Sequence, residues 1–266
     1  MLTYADTAVR LYFICLSAMF GAVFGSFLNC AAYRIARNES FLKGRSKCPD
    51  CSHTLGPLDL IPVFSWIFSG GKCRYCGKRV SIRYPLTEIF FALMTVLCFL
   101  EADSPVLFFR NFAFGCCLFC LSLVDLEICI IPDGCLIISA LAWLVAQPFL
   151  GKTLMDALMH VLCGFVFGGA LLFISLLFDR ILKKESMGGG DIKLFAVMGL
   201  YLGFVSSLFS LMLSCVLGLI FALVRRIGAP KGDPHFPFGP AISAATWIML
   251  LYGAPFVDWY LGLMRL

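Results

Sequence analysis

Eight nearly unbroken apolar stretches punctuate the 266-residue chain, near 11–33, 86–100, 106–124, 135–150, 156–178, 192–206, 208–224 and 241–262. A helix crosses the roughly 30 Å hydrocarbon core of a bilayer with about 20 residues, and on that ruler the stretches read as transmembrane spans. The second, fourth, sixth and seventh are short, and only Gly203 and Ser206-Ser207 divide the sixth from the seventh. The first is longer than the apolar part of a cleavable signal peptide and has only Arg10 ahead of it after Asp6, so it reads as a retained span. The pattern predicts an all-α polytopic membrane protein of about eight helices, with one extramembrane module between the first two. Three parts follow: a first helix within 1–33, a loop over 34–85, and a helical domain of about seven spans over 86–266.

Composition agrees with the pattern. Hydrophobic residues make up 61% of the chain and charged residues 14%, against roughly half and a quarter in soluble domains. Such an excess cannot be hidden in a water-soluble core of this size, so lipid must solvate much of the chain. Charge then supplies direction. Seventeen Lys and Arg residues fall in the segments 34–85, 179–193 and 225–239, while Arg10, Arg110, Lys152 and Arg265 are the four left on the other side. By the positive-inside rule the basic segments are cytoplasmic and both termini face outward. Nothing in this distribution suggests a nucleic-acid partner. The basic loop is expected to lean on anionic lipid headgroups, at about 1 kcal/mol per well-placed charge.

Ten of the fourteen cysteines lie in or beside apolar runs and behave as small hydrophobes. The other four form Cys48-Pro-Asp-Cys51 and Cys73-Arg-Tyr-Cys76, two C-x-x-C pairs 21 residues apart. Each pair can put two thiolates on one turn, and two such knuckles close a tetrahedral Cys₄ zinc site. A reducing cytoplasm disfavours two disulfides. Four cysteines leave no open coordination position, so the expected metal is a structural zinc that orders a loop too small to fold alone. Gly71 and Gly77 flank the second pair, and His53, just past Cys51, reads as a solvent-facing residue.

Two carboxylates stand at the edges of apolar runs. Asp125 follows 106–124, and Asp191 precedes the run from Ile192, within Gly188-Gly189-Gly190-Asp191-Ile192-Lys193. The predicted topology puts both at cytoplasmic ends of spans. Ionisable groups there are expensive and point to function. Two such groups held close share a proton, so one can activate water while the other polarises a carbonyl, which is aspartic proteolysis without a serine or cysteine nucleophile. The bland alternative makes them helix-end residues, Asp191 capping its helix. Gly188 and Gly190 would let the backbone approach a substrate closely, and Asp133 and Lys193 are expected to support the pair. Asp133, in Ile131-Pro132-Asp133-Gly134, reads as a helix-start residue.

The ordered set of motifs resembles the type IV prepilin peptidases. It comprises Gly25-Ser26-Phe27-Leu28-Asn29, the paired C-x-x-C, Arg83-Tyr84-Pro85 with Glu88, and Asp125 through Asp133. Gly188-Gly189-Gly190-Asp191-Ile192-Lys193 and Pro237-Phe238-Gly239-Pro240 complete it. The resemblance implies that Asp125 and Asp191 are the catalytic pair. It implies cleavage of prepilin or pseudopilin leaders after a glycine at the cytoplasmic face of a bacterial inner membrane. It also implies methylation of the new amino terminus from S-adenosylmethionine, with Gly71 as a supporting residue, and contact with pilus or secretion assembly machinery. Two other classes compete: a transporter whose aspartates bind a cation, and a zinc-bearing membrane scaffold.

Overall fold

The computed structural model describes residues 4–41, 44–151, 153–183, 187–228 and 236–264. Of the basic residues counted above, Lys43, Lys152, Lys184, Lys231 and Arg265 lie outside the described residues. The described chain is helical, with only two isolated β-bridges, and divides into two compact units at Asp103/Ser104. Six of its helices are long and apolar enough to cross a membrane, and a shorter apolar segment spans Asp133–Phe149.

The first unit holds α1 (Tyr4–Ile35), the loop with the short α2 (Phe64–Phe68), and α3 (Arg83–Glu101). Small residues let α1 and α3 approach closely, as lipid-solvated helices require in the absence of a hydrophobic drive between them. A Cβ on Gly21 would stand 2.5 Å from Thr95 Oγ1, and one on Gly25 would stand 3.0 Å from Phe91 Cβ. Pro85 falls in the first turn of α3, where its missing N–H costs no helical hydrogen bond.

The second unit holds α4 (Pro105–Ile128), α5 (Asp133–Ala146), α6 (Leu154–Leu182), α7 (Gly189–Gly228) and α8 (Gly239–Met264). Ser104 caps α4 by accepting the Leu107 N–H at 3.2 Å, and Thr153 with Asp156 forms a capping box on α6. Cys129, left-handed at φ 53°, ends α4. The α6–α7 contact is again built on absent side chains: a Cβ on Gly164 would stand 2.7 Å from the Ala196 carbonyl, and one on Gly199 2.7 Å from Gly164 Cα.

α7 is two helical stretches divided by a break at Gly203 (φ 70°, ψ −174°), a conformation essentially reserved for glycine. The chain folds back there. Gly190, at the start of α7, packs on Ile131, while Gly218 packs on Phe238, whose neighbour Gly239 touches Asp125. Residues 190 and 218 therefore lie near the same end of the unit, whereas a straight helix would separate them by roughly 40 Å. At the opposite end Gly253 of α8 meets Ser206, just past the break. The division expected between the sixth and seventh spans is thus real, and it falls at Gly203. His160 stabilises the break, its ring nitrogen lying 2.9 Å from the Leu200 carbonyl.

Candidate active site and metal centre

α4 delivers Asp125 in its last turn, and α7 delivers Asp191 as its third residue, inside the first turn and not at the cap. The Asp191 N–H donates to the Gly188 carbonyl at 3.1 Å. Both carboxylates line one cleft of about 270 Å³, together with Cys129, Ile131, Asp133, Gly188, Gly190 and Lys193. All six residues singled out from the sequence of this region therefore meet at one place.

Asp125 is 5% exposed, and its Oδ2 accepts the N–H of Gly239 at 2.8 Å. Gly239 opens α8, so this is one of the orphan donors at a helix start, given to a carboxylate on another helix. A larger residue would displace the carboxylate: a Cβ on Gly239 would stand 2.8 Å from Asp125 Oδ2. The glycines before Asp191 have distinct roles. A Cβ on Gly190 would stand 2.9 Å from Ile131 Cβ, so this glycine lets α7 begin against the α4–α5 connection. A Cβ on Gly188 would approach Asp191 Oδ2 to 3.1 Å, while one on Gly189 would meet nothing within 4 Å. Asp133 opens α5 and pairs with Lys193 Nζ at 2.8 Å, which ties the start of α5 to α7 across the rim of the cleft.

In the sequence Gly239 stands only within the Pro237-Phe238-Gly239-Pro240 motif, with no sign of its contact with Asp125. The available signal was Gly239-Pro240 ahead of an apolar run, which marks a helix start with unsatisfied N–H groups. No local pattern could say which acceptor takes them.

In the first unit Cys48, Cys51, Cys73 and Cys76 form one cluster, with the four sulfurs within 4.8 Å of one another. Cys48 Sγ and Cys76 Sγ are 3.9 Å apart. A tetrahedral ion with metal–sulfur bonds of about 2.3 Å needs sulfurs about 3.8 Å apart, close to the spacing of this pair, so the set could hold a metal ion. The two knuckles repeat one construction. In each, the residue after the second cysteine is left-handed (Ser52 φ 57°, Gly77 φ 71°), and a single bridge closes the turn (Lys47 with Thr54, Lys72 with Arg79). Asp50 of the first knuckle pairs with Lys78 beside the second at 2.8 Å.

The backbone N–H groups of Cys76 and Tyr75 pull the Cys73 thiol down to about 7. The Lys78 N–H pulls on Cys76 in the same sense, but desolvation and the neighbouring sulfurs outweigh it and push that thiol up to about 11. His53 takes no place among the ligands; its ring stacks on Tyr75 with centroids 3.6 Å apart. Gly71 (φ 67°) is buried against Trp66, where a Cβ would stand 2.9 Å from the indole, and it shapes the approach to the second knuckle.

Comparison with known proteins gives a consistent result. The profile described as "Bacterial Peptidase A24 N-terminal domain" matches residues 19–102, and the "Type IV leader peptidase family" profile matches residues 112–223, each within one of the two units. A Bacillus subtilis prepilin leader peptidase/N-methyltransferase is 32% identical, over 91% of this chain and 96% of the relative. A Dichelobacter nodosus protein of the same name is 30% identical over 94% of both chains. An Escherichia coli type 4 prepilin-like proteins leader peptide-processing enzyme is 31% identical over 86% of this chain and 90% of its own. No solved structure gives a significant match. With two conserved architectures matched in order and near-complete coverage of relatives at this identity, the chain belongs to the type IV leader peptidase family.

Proposed function

We propose that this enzyme is an aspartic endopeptidase that removes the leader of type IV prepilins or pseudopilins, cutting after a glycine at the cytoplasmic face of the inner membrane. The observation that carries this reading is the cleft itself. Asp125 and Asp191 come from helix ends 66 residues apart in sequence (191 minus 125), and both line the same walls. In this reading the pair holds one proton between its carboxyls. The ionised carboxylate takes a proton from water, whose oxygen attacks the scissile carbonyl carbon while the protonated partner donates to the carbonyl oxygen. The tetrahedral intermediate then collapses, the C–N bond breaks, and a proton passes to the leaving nitrogen.

The surrounding residues serve geometry. The Gly239 N–H fixes Asp125, the open space at Gly189 leaves room for an extended peptide, and the Asp133–Lys193 pair holds the rim. Zinc suits the four-sulfur cluster in donor type and spacing, and it would staple the 34–85 loop without taking part in hydrolysis. The relatives' names support a second activity, methylation of the new amino terminus from S-adenosylmethionine. Geometry assigns no residue to that step, and Gly71, which the family resemblance connects with it, has a packing role against Trp66.

Co-expression with a prepilin in a host lacking its own peptidase, followed by N-terminal sequencing of the product, tests the proposal. The expected product begins just after the leader glycine and carries an N-methyl group. An uncut prepilin at normal enzyme levels would overturn the peptidase reading, and a cut but unmethylated product would overturn only the second activity.

A further inference from the structure

The loop of the first unit carries an apolar surface that neither the metal cluster nor peptide hydrolysis uses. Leu58, Ile61, Phe64, Ile67 and Phe68 are all exposed, the last three at 59%, 56% and 79%. Their neighbour Trp66 points the other way, donating its indole N–H to the Val80 carbonyl at 3.1 Å and packing on Gly71. α2 thus has one side built into the loop and one side of bare phenylalanine and isoleucine. An exposed apolar patch of this kind marks a contact surface.

The height of the patch is fixed by a buried carboxylate. Glu88 is 6% exposed and accepts the Val63 N–H at 2.7 Å, at the entry to α2. Glu88 sits five residues into α3, about 7 Å along a helix that itself spans the membrane. The patch therefore hangs beside the first turns of a membrane helix, within the headgroup and interfacial layer that adds roughly 5–8 Å to each side of the hydrocarbon core.

Charge at the same place agrees with this depth. Asp59, the acid within the segment, is engaged by Arg74 at 3.4 Å, the Tyr75 hydroxyl at 3.1 Å and the Gly56 N–H at 3.0 Å. Lys72 and Arg79, paired across the second knuckle, are exposed. An apolar surface fringed by cations is the composition of an interfacial membrane anchor. We propose that Leu58–Phe68 is a membrane-inserting lip, which dips its apolar side chains into the headgroup–acyl boundary of the leaflet where α3 enters and so anchors the metal-bearing loop to lipid.

The test uses the full-length protein in vesicles of phosphatidylglycerol and phosphatidylethanolamine, with a benzophenone amino acid in place of Phe68. Ile67 is a second position and Asp50, exposed at the first knuckle, the control. Irradiation followed by mass spectrometry reads the adducts, and unchanged metal content shows that each protein keeps its loop. The expected result is phospholipid adducts at Phe68 and Ile67 several-fold above those at Asp50. Adducts to protein alone, to a second copy or a co-reconstituted prepilin, would overturn the proposal, as would equal lipid labelling at all three positions or none at any.

Discussion

At the residue scale, the cleft depends as much on absent side chains as on present ones. Gly239 gives its N–H to Asp125 at 2.8 Å and has no room for a Cβ. Gly239→Ala is therefore expected to push the carboxylate out of place while leaving both aspartates chemically intact. A displacement of about 1 Å at reacting groups costs on the order of 10²-fold in rate, so cleavage should fall by about that factor with little change in membrane-inserted protein. A time course of prepilin processing, normalised to enzyme level, measures it. Gly189 provides the internal control, since a Cβ there meets nothing within 4 Å. Asp125, Asp191 and the glycines before the latter were legible in the sequence because charge in an apolar run is conspicuous. The partner of Asp125 was not, because a hydrogen bond across 114 positions leaves no local trace.

At the element scale, the two knuckles and the turn in α7 are separate devices with separate tests. The knuckles were readable from spacing alone, since C-x-x-C fixes each turn whatever joins the pair. Their matched left-handed residues were half readable: Gly77 announces the conformation, whereas Ser52 at φ 57° does not. Metal removal should unfold the loop and leave the helices folded. Because binding requires thiolates, retention should be full above neutral pH and lost on acidification, as protons reclaim first the sulfurs with the higher affinity. Metal analysis after dialysis across a pH series, with helical content followed by circular dichroism, reads both parts. The boundary at Gly203 was only a weak sequence signal, because a glycine between two apolar runs also suits a continuous helix. Its conformation makes Gly203→Ala costly, by about 1–3 kcal/mol, which thermal unfolding in detergent should show as a lowered midpoint.

At the scale of the whole molecule, the apolar pattern specified a polytopic helical protein, and six long helices with one shorter segment bear that out. From the lysine and arginine bias we expect the 34–85 loop, the aspartates and the start of α8 each to face the cytoplasm. Thiol- or protease-accessibility in oriented vesicles should label the 34–85 loop only from the cytoplasmic face and the Lys152 connection only from the other. What pattern could not supply is which helix ends converge. Hydropathy ranks residues by solvent, and lipid-facing and helix-facing positions are equally apolar, so the meeting of α4, α5 and α7 at one cleft, with α8 touching Asp125 through Gly239, follows from packing of glycines that no periodicity marks.

The most direct measurement is prepilin cleavage by Asp125→Asn and Asp191→Asn, each compared with the unaltered enzyme at equal membrane level and equal metal content. Asparagine keeps the size and hydrogen-bonding reach of the side chain but cannot exchange the proton. Each substitution alone should lower the rate by about 10²–10⁴-fold, and the pair together by little more, because the two groups act as a unit. Either variant cutting at the unaltered rate would show that the two carboxylates are not the machinery of hydrolysis.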